Sequence, residues 1–181
     1  MKRFSLTVAL ALMAVFMFAQ EVTDAEIAAI RAAYNHAKEQ IELNNQAEEQ
    51  NVPRSDMEVV SHYIIPGCGP TEEVIRYYFM LDEDPETGEC FYTPYFITRS
   101  YNIAARKFYQ EFLFDEYNLQ LLFFYQHNDG IGSGPDEMRY YYVENRIHKS
   151  ITGNQETDEI YAARTADDLK NAFYILMNRE Y

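Results

Sequence analysis

Apolar side chains return every three or four positions at the start of the chain. Ile27, Ile30, Tyr34, Ala37 and Ile41 make one stripe, while Arg31, Lys38, Glu39 and Glu42 fall on the other side. That spacing predicts an amphipathic helix. Thr23 and Glu26 form a capping box at its start, with Val22 and Ile27 in the staple positions. The helix is expected to run to about Gln50, because Pro53 denies the chain a further turn.

The pattern then changes. Residues 57–151 are rich in Tyr, Phe, Val and Ile and are punctuated by turn chemistry, which predicts strands. A first strand over 57–65 ends at Pro66-Gly67-Cys68-Gly69-Pro70. Segments 74–81 and 91–100 form the arms of a hairpin turned at Asp82–Glu89. Segments 106–114 and 119–127 meet at Asp115-Glu116-Tyr117-Asn118, and 137–143 meets 146–151 at Glu144-Asn145. Residues 102–113 also fit helical spacing, but Phe108, Phe112 and Phe114 share one face of an alternating strand, so a strand is expected from Arg106. A closing helix is expected from Thr165 and Asp168 onward, with Leu169, Ala172, Phe173, Leu176 and Met177 on its apolar stripe. These elements predict an α+β fold: an antiparallel β-meander of about seven strands, with an N-terminal and a C-terminal helix packed on one side of it.

The first nineteen residues have a separate meaning. Met1-Lys2-Arg3 is a short cationic start, Phe4 to Phe18 carries no charge, and Ala19 offers a small residue for cleavage. This is the layout of a secretory signal peptide, and the apolar run is short for a membrane span. Residues 1–19 are therefore expected to be removed, leaving 20–181 as a single α+β domain with no transmembrane segment. The address is exported: periplasm, cell surface or extracellular.

Composition narrows the partners. The chain has 15 basic and 29 acidic residues, and loss of Lys2 and Arg3 with the leader leaves it more acidic still. A field of that sign repels nucleic acid and anionic membranes. Two cysteines in an exported chain point first to a disulfide. The expected hairpin, however, puts Cys68 and Cys90 at opposite ends of an arm roughly 26 Å long, so free thiols are expected.

No catalytic set is apparent. His36, His62, His127 and His148 lie on different elements, without the spacing of a metal motif. Gly132-Ser133-Gly134 lacks the strand–turn–helix context of a nucleophile elbow, and the surrounding loop lacks a phosphate-binding lysine. Asp82, Asp84, Glu86 and Glu89 form an acidic turn with Gly88, but the glycine is misplaced for an EF-hand, so a solvated hairpin tip is the better reading. The expectation is no cofactor and no metal, with an enzyme left open behind a non-catalytic reading.

The 16 tyrosines are the distinguishing feature. Arg76-Tyr77-Tyr78-Phe79 and Arg139-Tyr140-Tyr141-Tyr142 place rings on both faces of their strands. With one face under the helices, the other is expected to display Tyr77, Tyr140 and Tyr142 as a surface for a protein, a glycan or an apolar ligand. The ending Phe18-Ala19-Gln20, the Pro66–Pro70 break and the run Ala105-Arg106-Lys107-Phe108-Tyr109-Gln110-Glu111-Phe112-Leu113-Phe114-Asp115 together resemble small uncharacterised exported proteins of Bacteroidetes type. That resemblance implies a periplasmic or surface address and carries no catalytic residues. The leading expectation is an exported, non-catalytic binding or protein-interaction module. The alternatives are a carrier holding an apolar small ligand or lipid between sheet and helix, and a hydrolase whose site assembles from distant residues.

Overall fold

The computed structural model describes residues 2–49, 54–129, 137–143, 146–151 and 155–177, with side chains described over 24–47, 54–129, 137–143 and 160–177. The element order is α1 (Lys2–Glu49), β1 (Asp56–Ile65), β2 (Gly69–Glu83), β3 (Cys90–Ile103), β4 (Arg106–Phe114), β5 (Leu121–Asp129), β6 (Glu137–Val143), β7 (Arg146–Ile151) and α2 (Gln155–Met177). Each strand pairs antiparallel with its neighbour in sequence, in the order β1 to β7. The fold is therefore the expected α+β arrangement, with an antiparallel meander between an N-terminal and a C-terminal helix. The chain turns at Ala104 (φ 52°) and enters β4 at Arg106, as the strand reading of this passage required.

The register sorts the aromatics into two rows that cross the sheet. Met57, Tyr77, Ile97, Phe112, Phe124 and Tyr140 are successive cross-strand partners. The neighbouring row runs through Asp56, Tyr78, Phe96, Leu113, Phe123 and Tyr141. Successive residues of a strand point to opposite faces, so the two rows lie back to back and each face needs its own cover.

The helices supply it from opposite sides, which corrects the expectation that both pack on one side. On one face α1 sets Ile27, Ile30, Ala37 and Ile41 against Tyr78, Phe96, Leu113, Phe123 and Tyr141. On the other, Ala162 and Ala166 of α2 let its axis approach closely, and Leu169 and Phe173 fill the space against Tyr77, Ile97, Phe112, Phe124 and Tyr140. Phe173 lies 5.4 Å from the Tyr77 ring and 5.5 Å from Phe79. Offset and tilted ring pairs of this kind add about 0.5–1.5 kcal/mol each beyond the area they bury.

Both helices start earlier than their capping signals indicate. No glycine or proline occurs from Lys2 to Glu49, and α1 runs unbroken through Thr23. Likewise α2 begins at Gln155, ten residues before Thr165, so neither capping box stands at a helix start. The Glu144-Asn145 turn, the Gly130–Gly134 stretch and the His148 side chain lie outside the described residues.

Two hairpin tips share one construction. Asp84 Oδ1 accepts the amides of Glu86 (2.7 Å) and Thr87 (3.3 Å), and Gly88 N donates to Asp84 O (2.8 Å). In the second tip Asp115 Oδ1 accepts the amides of Tyr117 (3.0 Å) and Asn118 (2.9 Å), while Leu119 N donates to Asp115 O (3.0 Å). These backbone donors hold the Asp84 carboxyl below its usual range. The fifth residue of each tip is left-handed, at φ 72° for Gly88 and 57° for Leu119. Cys90 pairs with Glu83 beside the first tip, whereas Cys68 precedes β2 at its other end; both thiols are free and exposed.

The side-chain hydrogen bonds on the α2 face are also largely closed on themselves. Arg99 is ion-paired with Glu73 and donates weakly to Gln110 Oε1 at 3.4 Å, while Gln110 Nε2 donates to Gln126 Oε1 at 2.6 Å. Tyr101 stacks on Phe108 at 4.8 Å, and its hydroxyl meets that of Tyr161 at 3.5 Å. Burial opposes ionisation of Tyr161, but the hydrogen bonds from Tyr101 and Gln110, with the Arg99 charge, outweigh it and lower its phenol.

Two outcomes are expected from this framework. Gly88→Ala forces a Cβ into the left-handed region and should cost about 1 kcal/mol, with Gly88→Asn costing less, as read from urea midpoints. Burial also pushes the phenols of Tyr77 and Tyr95 from 10.0 up to about 12. Below pH 10 both folded and unfolded chains keep those protons. Above it the unfolded chain ionises first and binds fewer protons, so stability falls as pH rises towards 12. Urea midpoints measured by circular dichroism should be flat from ~pH 8 to 10 and then decline; a midpoint unchanged up to pH 12 would contradict this assignment.

Candidate functional site

The three tyrosines expected on an open surface are core residues. Tyr77 is 1 % exposed, Tyr140 0 % and Tyr142 2 %, all within the cluster beneath α2. Tyr140 stacks on Phe124 with centroids 5.9 Å apart. The physical reason is the second helix: the face that would have been open is the face α2 covers. Tyr77, Tyr140 and Tyr142 are brought together, but as packing.

An accessible part of the sheet lies instead on the α1 face, beyond the edge of that helix. The row next to the buried aromatics runs Glu58, Arg76, Thr98, Glu111, Tyr125, Arg139. Next comes Val60, Val74, Ser100, Tyr109, His127, Glu137. Both rows share the parity of Tyr78 and Phe96, so they look out on the same side as α1.

Glu111 anchors this region. Its residue is 4 % exposed. Tyr34 Oη donates to Oε2 at 2.6 Å, Tyr109 Oη donates to Oε1 at 2.8 Å, and Lys38 Nζ donates to Oε1 at 3.0 Å. A carboxylate taken out of water needs an opposite charge and filled lone pairs, and these three donors provide both. Tyr34 and Lys38 are four residues apart, hence neighbours on α1, so one carboxylate ties the helix to the sheet. Burial and the adjacent Glu111 raise the phenols of Tyr34 and Tyr109, which keeps both protonated as donors. Lys38 also lies over the Phe96 ring at 5.5 Å.

Beside this anchor, a cleft of about 510 Å³ opens between α1 and strands β4 to β6. Phe123, Tyr125 and Tyr141 supply ring surface, Glu111 lies at the sheet side, and Arg31 and Asn35 come from α1. Arg139 lies over the Tyr125 ring at 5.5 Å and is ion-paired with Glu137. Arg31 lies over the Tyr141 ring at 5.5 Å, and its Nε donates to Tyr141 Oη at 3.5 Å. Tyr125 meets the Tyr109 ring edge-on at 6.5 Å. Beyond Tyr109 a second depression of about 400 Å³ continues past Ser100, Lys107, His127 and Asp129. The cleft volume falls in the range of small-molecule sites, and its mixture of rings with a few directed polar groups suits an amphipathic ligand.

The other candidates do not converge on it. His36 and His127 are exposed on separate elements, and His62 lies 3.6 Å from Glu72 on the β1–β2 ladder. Among the described residues no group of His, Cys, Asp and Glu could hold a metal ion. In the acidic tip, Asp84 is committed to backbone amides, as a hairpin turn requires.

Sequence reasoning missed Glu111, although a trace of it was there. It is an acid in an aromatic strand, on the same parity as Tyr109 and Leu113, so a buried face implied a cation above it. Lys38 and Arg31 lie off the apolar stripe of the first helix and keep solvent exposure, but each also reaches the sheet, at Glu111 and Tyr141.

No protein-family model, curated protein or solved structure matches the chain.

Glu111→Gln should destabilise the fold by about 1–3 kcal/mol, because it disturbs three donors at a buried site. Lys38→Met should cost less, since the Lys38 side chain is 42 % exposed and such pairs contribute ~1 kcal/mol or less. Urea unfolding of both variants checks the order; equal costs would mean that the ion pair, and not the buried carboxylate, carries the effect.

Proposed function

We propose that this chain is an exported, non-catalytic binding protein whose recognition surface is the cleft flanked by α1 and strands β4 to β6. The observation that carries the reading is a cleft at which the half-buried Tyr125 ring and the exposed Arg31 and Arg139 meet, in a fold whose other aromatics, Tyr141 and Phe123 included, are largely spent on packing. Rings and arginines are the side chains that contribute most when a surface binds, since each combines large apolar area with a directed polar group. Recognition thus uses the tyrosine-rich sheet, but through Tyr109 and Tyr125 on the opposite face from Tyr77, Tyr140 and Tyr142.

Two other readings have less support. A carrier would hold an apolar ligand between sheet and helix, where Tyr34, Phe96 and Phe123 already pack ring to ring at 5.1–5.9 Å. A hydrolase would gather its acid and base groups, and the described histidines stand apart in solvent.

Export rests on the cationic, apolar and small-residue layout of residues 1–19. No described helix is long and apolar enough to cross a membrane. Cleavage after Ala19 would start the mature chain three residues before Thr23, releasing that threonine and Glu26 to cap a shortened α1.

The test is a fragment set of neutral, cationic and anionic ring compounds, screened by amide NMR against protein recovered from a bacterial periplasm. Its mass is expected to begin at Gln20. Fragments should perturb residues 31–35 and 109–125 and lose affinity in the Tyr109→Ala, Tyr125→Ala double variant. Perturbation elsewhere alone would overturn the site, and a mass retaining residues 1–19 would overturn cleaved export.

A further inference from the structure

The charges around the cleft do not cancel, and the imbalance names a ligand class; this inference rests on the cleft being the binding surface. Lys38 and Glu111 neutralise each other at 3.0 Å, and Arg139 is ion-paired with Glu137. Arg31 has no carboxylate partner among the described residues: its contacts are the ring face and hydroxyl of Tyr141. A chain of net charge −14 thus keeps one uncompensated guanidinium at the mouth of a ring-lined cleft.

From this we infer that the cleft takes a small organic monocarboxylate with a flat apolar body. The guanidinium fork matches a carboxylate in geometry, and its charge-assisted hydrogen bonds are about twice as strong as neutral ones. The half-buried ring of Tyr125, in a cleft also lined by the buried rings of Phe123 and Tyr141, offers the apolar surface on which the body lies. One free positive charge balances one negative charge, and a phosphate dianion or a polyanion would meet the repulsion of the remaining acidic surface. A cationic ligand would leave Arg31 opposed and the Glu111 oxygens already occupied by Tyr34, Tyr109 and Lys38.

The experiment compares 2-naphthoate with its uncharged counterpart 2-naphthamide, titrated into the exported protein and followed by amide NMR. Naphthoate should bind about tenfold or more tightly, as one hydrogen bond to a charged group requires. Its shifts should centre on Arg31, Asn35 and Tyr125, and it should weaken with added salt. Arg31→Gln should erase the preference of naphthoate over naphthamide while leaving the circular dichroism spectrum unchanged. Arg31→Lys should keep part of the preference, which separates charge from packing. Equal binding of the two probes in the cleft overturns the carboxylate class and leaves the binding surface standing. Naphthoate shifts centred on Lys107 and His127, or no binding by either probe, overturn the inference.

Discussion

A sheet whose strands carry aromatic side chains in unbroken succession has no face to give to water. Tyr77 and Tyr78, Phe112 and Leu113, Phe123 and Phe124, and Tyr140 and Tyr141 are adjacent pairs with both members buried. Within a pleated strand the two members of each pair point opposite ways. Two covers are therefore needed, and the meander supplies them economically: its strands pair in chain order, so the segments before β1 and after β7 can fold to different sides. The layering of helix, sheet and helix follows from that constraint.

Each cover is tied down by polar groups near its apolar stripe. On the α1 side the tie is Glu111, reached by Tyr34 and Lys38; on the α2 side it is Tyr161, which meets Gln110 and Tyr101, and Lys170, which donates to Leu119 O. Apolar burial supplies most of the stabilisation but is non-directional, whereas these bonds set where each helix crosses. The consequence for function is geometric. Because α1 lies along the row from Tyr78 to Tyr141 and is tied at Glu111, the rows through Tyr125 and Tyr109 remain partly uncovered. The same interaction that positions the helix leaves the cleft beside it.

Most of the architecture was legible along the chain because its signals are local. The alternation through 57–151, the Asp-headed tips at Asp84 and Asp115, and the 3.6-residue stripe from Ile27 to Ile41 each depend on a few neighbouring residues. Helix starts were less legible. Thr23 and Thr165 carry capping chemistry, yet a helix that meets no glycine or proline upstream passes through such a residue. The site was hardly legible at all. Tyr77, Tyr140 and Tyr142 proved to be core residues, and Arg31 and Lys38, polar residues of the first helix, proved to touch Tyr141 and Glu111 on the sheet.

By itself the sequence determined which residues form strands, how they alternate, and that the two tyrosine runs present rings to both sides. It also determined the acidic net charge and the cationic start and uncharged run of residues 1–19. Only the tertiary structure decided which face each helix covers, and hence that Tyr109 and Tyr125, and not Tyr77 and Tyr140, reach solvent. The reason is one of range. Alternation is a property of successive residues, whereas the choice of face depends on partners such as Lys38 and Glu111, 73 residues apart in the chain, and on whether a closing helix crosses to the other side.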